Sequence, residues 1–503
     1  MLVIEGHWLQ IEAQIKYLKR VWHRLHGRLQ IYFNHVLSRL QALLYDANMK
    51  IDGLIEAKKD NNPTDQVRKD NRPADQVKKS VLAVISKEGR WRRGAFALNQ
   101  KDALDRLIKE MGSWHNDMFG PSWFQLLRFP ELLETETPLP SPSGGSGPVT
   151  ELRELGRDID TANHNIQSTL QNMLLPSDAL EGVPLPIFGS PAKLCRRKGS
   201  NELIIVDTVF LPADVQRQRT LESFCQLAQK LQRSEVSSNN ILRCWGVVDG
   251  RSASTTSSIE DHFLLLFHGP DGSNEPRSLR EVLLESSRFY ALEKKVSLAV
   301  QLAKSVMFIH SLGLVHKNIR PETILIFHSI SKGEDQAMLL GFEQFRPTEM
   351  RSMLRGDTIW QKAIYRHPNR QGLHPEREYV MQHDIYSLGV CLLEIGLWRS
   401  FIIDPNGRPW PLPEVDTQKI PGKEAVRKAH VLKERYQALA QSDLPATMGQ
   451  RYADVVLSCL TCLDHNNTGF GDERDFEDDE EMLVGVRYME KVSMSLRVLL
   501  TYN

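Results

Sequence analysis

Residues 316–323 read HKNIRPET. An apolar, helix-like run leads into this stretch, and the strand-like ILIF at 324–327 leaves it. The loop between them carries a His, an Asn, an Arg and a Glu. The carboxamide of Asn318 is neutral and not usefully basic, so it cannot take a proton from a hydroxyl.

Outward from the loop the patterning changes twice. LIIVDTVFL (203–211), ILRCWGVV (241–248) and HFLLLF (262–267) are short, apolar, β-branched-rich runs, the pattern of strands, and RQRTLESFCQLAQKLQ (217–232) between the first two predicts a helix. From Ser278 onward the pattern is mostly helical. Residues 185–503 therefore predict a small strand-rich part followed by a larger helical one. Ahead of them, ELRELGRDIDTANHNIQSTLQNMLL predicts one brace helix over 151–176, ending at Pro176. The Pro-, Gly- and Ser-rich TETPLPSPSGGSGP marks 131–150 as a linker, because such composition cannot offset the entropy of ordering.

In the first 130 residues, Ile11, Ile15, Leu18, Trp22, Leu25, Leu29, Tyr32, Val36, Leu40 and Leu43 recur by threes and fours. This predicts one helix of roughly 40 residues, about 60 Å long. Such a stripe belongs in a bundle. DNNPTDQVRK and DNRPADQVKK (60–79) form a near-duplicate with the Pro and Asn of an exposed loop, and helical patterning then resumes, with Asn99 as a candidate N-cap.

Lys plus Arg and Asp plus Glu both total 63, so net charge gives no reason to expect nucleic acid. Residues 1–130 nevertheless hold 22 bases against 14 acids, while 472–481 (DERDFEDDEE) carry eight acids and one base. The six cysteines are irregularly spaced, as in a reducing compartment, and Cys459 and Cys462 in VVLSCLTCL predict buried helix residues. No apolar run reaches about 18 residues, and no secretory signal opens the chain. A cytoplasmic protein is expected. DHNNTGFGDERD, from Asp464, departs from a calcium loop at Gly471 and Asp475 and predicts an acidic insertion.

HKNIRPET resembles the protein-kinase catalytic loop H-R-D-[LI]-K-P-x-N, and HDIYSLGVCLLEIGLW (383–398) looks like the kinase segment D-x-[YW]-S-x-G, with Asp384, Ser387 and Gly389 in place. YRHPNR (365–370) stands where kinases have Y-x-A-P-E. The resemblance implies an α+β bilobal protein-kinase-like fold over 185–503, with His316 and Asp384 as framework residues. It also locates the departures. The proton-acceptor position is Asn318, the loop's metal-binding Asn is Thr323, and the D-F-G carboxylate is Gly341 in MLLGFEQF. Glu343 is two residues late as a substitute, Arg320 replaces the loop lysine, and Glu222 resembles the helix-C glutamate. The V-A-I-K lysine falls at Asp207, with Lys193 or Lys198 as the nearest replacements, and IFGSPAKLCRRKG lacks the G-x-G-x-x-G of a phosphate-covering loop.

GHWLQIEAQIKYLKRVWHRLHGRLQIYFNHVL and WRRGAFALNQKDALDRLIKEMGSWHNDMF look like the HeLo-type helical domain of filamentous fungi. Such domains belong to cell-death and incompatibility proteins and are similar in concept to the helical bundle of mixed-lineage-kinase-like necroptosis proteins. The expectation is a multidomain chain, an all-α HeLo-like bundle over 1–130 followed by the kinase-like domain. HeLo-type proteins generally begin with a further helical segment, whereas MLVIEGHW already reads as inside the domain, so the expectation is either an N-terminally truncated sequence or a version that does not insert by that route. The combined reading is a pseudokinase that regulates a helical effector, with no catalytic residue, metal or cofactor expected. Its expected partners are an upstream signalling protein, an anionic membrane through 1–130 and further copies of itself. The alternatives are a divergent Ser/Thr kinase that binds ATP and magnesium, and a plain interaction scaffold.

Overall fold

The computed structural model describes residues 14–25, 27, 29–30, 33–34, 36–38, 41, 45 and 126–127, and all of 148–499 except 212–215, 233–239, 254–260, 286–289, 331–332, 343–344, 348–358, 372–377, 404–408, 417–424, 465–466, 468–487, 489–490, 493–494 and 497–498. The chain divides into two compact units, Met1–Ser122 and Trp123–Asn503.

In the first unit, 14–21 are helical, but Trp22–Arg24 tighten into a 3₁₀ turn and Leu25 is extended at φ −71°, ψ 138°. The apolar stripe is therefore not one continuous helix. A break frees backbone carbonyls, and the Gln30 side-chain amide donates to two of them, Trp22 O at 2.7 Å and Leu25 O at 3.1 Å. Tyr17, Leu18, Val21, Leu25, Leu29, Phe33 and Val36 are all buried, so the stripe persists through the break. The duplicated decapeptide and the Asn99 cap lie outside the described residues.

The second unit opens with two helices, α1 (Pro148–His164) and α2 (Ile166–Met173), where the periodicity predicts one. Asn165 breaks them apart and caps α2, its side chain accepting from Ser168 N at 3.1 Å. Leu174 and Leu175 leave the helix to form β1. With β2 (Leu180–Pro186), β3 (Lys193–Arg197), β4 (Leu203–Phe210), β5 (Cys244–Asp249) and β6 (His262–His268), β1 makes a six-stranded mixed sheet in the order β1-β5-β6-β4-β3-β2. Only β1 and β5 run parallel. The sheet thus starts well before residue 185.

Strand period two decides what each face of β4 presents. Ile204 and Val206 join Ala179, Cys195, Val248 and Leu266 in one core. Ile205, Asp207 and Val209 take the other face, opposite Phe267, Leu265 and Phe263 of β6. That face meets α3 (Arg217–Leu231), whose Phe224 ring lies 6.1 Å from Phe263. An aspartate therefore sits in an apolar row.

The remainder is mainly helical. β7 (Arg277–Ser278) and α4 (Leu279–Leu284) lead to α5 (Leu292–Ser311), β8 (Leu314–Val315), a hairpin of β9 (Ile324–His328) and β10 (Asp335–Leu339), and β11 (Arg346–Pro347). Then follow α6 (Met381–Leu397), α7 (Ala425–Ser442), α8 (Leu444–Met448) and α9 (Gln450–Leu460). α6 is buried from Met381 to Gly396, as expected of a helix that is apolar all round. Gly389 lets α9 approach, since a Cβ there would stand 2.7 Å from Cys459 Cβ. Cys459 and Cys462 are buried thiols, the latter 3.2 Å from Gln382 O.

Candidate functional site

The loop 316–323 joins β8 to β9 and is held from α6 by one carboxylate. Asp384, in the first turn of α6, has no exposed surface. It accepts from His316 N at 2.7 Å, Lys317 N at 2.8 Å and the Tyr379 hydroxyl at 2.6 Å. His310 Nε2 stands 3.1 Å away, and because a carboxylate only accepts, that nitrogen carries the proton. Burial pushes the carboxyl up, but the His310 bond and charge, His316 and the Tyr379 bond outweigh it and hold the group at about 2. Lys317 is thereby kept at φ 66°, a left-handed backbone that costs a non-glycine residue about 1 kcal/mol. Ser387, one turn on, donates to His383 O at 3.0 Å within the helix.

Above the tie, the three residues singled out in the sequence meet in one corner. Asn318 Nδ2 donates to Gly341 O at 3.0 Å, and its Oδ1 accepts from Arg320 Nε at 2.8 Å. Thr323 Oγ1 lies 2.7 Å from Asn318 O and 2.9 Å from Arg320 O, sharing its proton between them, and accepts from Arg320 N at 3.2 Å. Gly341 has φ +89°, and a Cβ on it would fall 2.4 Å from Thr323 Cγ2 and 3.0 Å from Asn318 Nδ2. The space a side chain at 341 would need is filled by Thr323.

Asp207 closes the corner from the sheet. It is 2% exposed, and its Oδ2 accepts from Phe342 N at 3.0 Å. The Phe342 ring stacks on Phe267 (centroids 6.1 Å) and packs edge-on against His316 at 4.8 Å. Asp384, His316, Phe342 and Phe267 thus form a continuous column from α6 to β6.

These residues do not fit a magnesium–triphosphate group. Magnesium demands oxygen ligands at about 2.0–2.1 Å, usually with a carboxylate. Here the neutral Asn318 amide is engaged by Arg320 and Gly341, residue 341 has no side chain, and Thr323 is turned inward. Glu343 lies outside the described residues. Glu222 accepts from Gln218 one turn earlier on α3, at 3.0 Å. Lys193 is exposed on β3, and Lys198 pairs with Asp178, so neither lysine comes to stand beside Asp207. Asp464, the first residue of the calcium-like stretch, pairs with Lys433.

Sequence reasoning missed Arg280. Its guanidinium is 5% exposed and reaches Glu394 Oε1 (3.2 Å) and Ser400 Oγ through one terminal nitrogen, and Glu322 Oε1 (3.1 Å) and the Tyr365 hydroxyl (2.5 Å) through the other. Burial pushes the Glu394 carboxyl up to about 7 against the pull of Arg280. The only sequence signal nearby is Ser278-x-x-Glu281, the spacing of a helix start. Ser278 Oγ does accept from Glu281 N, at 3.0 Å.

No family model matches the chain. Among the described residues, no three or more His, Cys, Asp or Glu side chains are arranged to hold a metal ion, and no helix is long and apolar enough to cross a membrane.

Proposed function

We propose that the chain is a non-catalytic signalling protein. Residues 185–503 act as a bilobal, kinase-shaped switch, and residues 1–130 as a HeLo-like helical effector in cell death or incompatibility of the fungal kind. The observation that carries this reading is the interlocked corner of Asn318, Thr323 and Gly341. In phosphoryl transfer the protein supplies positioning and charge, and here each position that would do so is neutral or occupied by a neighbour. Asp207, where a lysine would meet the phosphates, has the wrong sign. The Asp384 tie supports the other half of the reading, since it holds the loop's shape without requiring any chemistry from it.

The basic surplus of 22 over 14 in 1–130 suits an anionic lipid surface, at about 1 kcal/mol for each base near it. The switch would respond to a protein partner or to a second copy of the chain, and the protein would reside in the cytoplasm, peripheral to membranes when active. Titrating the full chain with ATP and Mg²⁺, then measuring radiolabelled phosphate transfer, tests the catalytic half. Robust turnover would replace this reading with that of a divergent kinase. The effector half is tested with phosphatidylserine vesicles and a protease site inserted at 135–148. Leakage should rise on cleavage, and no leakage before or after it would leave an interaction scaffold.

A further inference from the structure

The turn after β2 comes down onto α4. Ser278 Oγ, the α4 cap, donates to Phe188 O at 2.7 Å. Gly189 permits this approach, with φ +65° and an added Cβ only 2.8 Å from Ser278 Oγ. Beside this contact lies a cavity of about 310 Å³, whose lining includes Ser190, Arg280, Arg320, Glu322 and Gln361. None of Asn318, Thr323 or Gly341 lines it.

We propose that this cavity binds a phosphate monoester. Four of the five N–H groups of Arg280 are directed at Glu394, Ser400, Glu322 and Tyr365. Its Nε is buried and has no acceptor among the described residues. Burying a donor without an acceptor is costly, and a ligand oxygen removes that cost. Arg320, 8% exposed, spends Nε on Asn318 and sets one terminal nitrogen 3.5 Å from Glu322. Ser190 Oγ accepts from Ala192 N, which leaves its hydroxyl proton to donate, and the Gln361 amide lies on the one-turn helix Trp360–Ala363.

The lining itself holds two guanidiniums and one carboxylate, Glu322, which both of them engage, while Glu394, outside the lining, pairs with Arg280 as well. Donors from four separate segments suit the three terminal oxygens of a phosphate better than the two of a carboxylate. The volume also admits the carbon stem that a phosphate monoester carries. The source is either a small phosphoester or a phosphorylated protein side chain.

The test is calorimetric titration of the full-length protein with phosphoserine, inorganic phosphate, a phosphoserine peptide and its unphosphorylated twin. Saturable binding of the phosphate-bearing probes is expected, weakening as salt is raised. Arg320→Gln should weaken it at least about tenfold, with the ligand-free melting temperature measured alongside. Because Arg320 also holds Asn318, the double variant Ser190→Ala/Gln361→Ala serves as a second probe and should weaken binding too. A peptide that binds much more tightly than free phosphoserine identifies a phosphoprotein source, and equal binding identifies a small phosphoester. The proposal is overturned if no phosphate-bearing probe saturates, if the unphosphorylated twin binds equally, or if both variants bind as wild type.

Discussion

Replacing Asp384 by Asn keeps the side chain's size and one acceptor oxygen but removes the charge on which His316 N, Lys317 N, the Tyr379 hydroxyl and His310 converge. The carboxyl, 3.8 in an ordinary setting, is held at about 2, with burial opposing and the His310 and Tyr379 bonds favouring the ionised form. At about 1.36 kcal/mol per tenfold change in acidity, that difference is worth roughly 2–3 kcal/mol. A depressed carboxyl contributes this stability in full above pH 3.8 and loses it as the pH falls toward 2. The amide also turns an NH₂ group toward buried donors, which raises the expected loss at neutral pH to about 3–5 kcal/mol. Urea unfolding of the Trp123–Asn503 unit would measure the loss, and hydrogen exchange at the His316 and Lys317 amides would localise it. The acid limb of stability between about pH 4 and 2 should flatten in Asp384→Asn. A loss under about 1 kcal/mol, with exchange at both amides unchanged, would show that the loop is held by something else.

Three further substitutions probe the same architecture. At Lys317, held at φ 66°, glycine should be about 1 kcal/mol more stable than alanine in urea melts, and an equal or better alanine would remove the strain argument. Gly341→Ala should cost more than about 2 kcal/mol, because its Cβ meets Thr323 Cγ2 at 2.4 Å on a positive-φ backbone. Thr323→Ser deletes that methyl while keeping the hydroxyl bonds, so the double variant should recover about 1 kcal/mol, and a double-mutant cycle with no coupling would refute the interlock. Glu394 is raised to about 7 chiefly by burial, so the native state holds its proton more tightly than the unfolded chain does. Stability should therefore fall as the pH rises from about 5 through 7, and Glu394→Gln should flatten that slope in pH-dependent thermal melts.

The central strands were legible because β4 and β6 are largely apolar on both faces, the pattern of buried strands. Asp207 drew attention only through the resemblance, where it stands at the V-A-I-K lysine, and the structure adds that it sits in an apolar row. The apolar pattern could not find β2. LEGVPLP carries a Gly and two Pro residues and is almost wholly exposed, which an edge strand tolerates because it pairs on one side only and shifts register between Glu181 and Leu185. The helix breaks at Leu25 and Asn165 were hidden for another reason. Neither contains Pro, Gly27 lies two residues past the first, and that first break is satisfied by Gln30, several residues downstream. Arg280 was invisible because Glu322, Tyr365 and the pair Glu394 and Ser400 come from three distant places in the chain. Local pattern specifies faces and ends. It does not specify which polar groups meet across the fold.

The corner at 318, 323 and 341 also bears on whether a few changes would make the site competent. An active centre keeps polar groups pointed at a vacant position and held ready for a ligand. Here Asn318 donates to Gly341 O, Thr323 donates to the loop's own backbone carbonyls, and Asp207 accepts from Phe342 N. Asn318, Thr323 and Gly341 meet one another, and Asp207 holds the backbone next to Gly341. A carboxylate at 318 would face the Gly341 carbonyl oxygen, a side chain at 341 would strike Thr323, and a lysine at 207 would leave Phe342 N without its acceptor. The corner is thus self-satisfied, because each of these three changes breaks a contact that now holds it together.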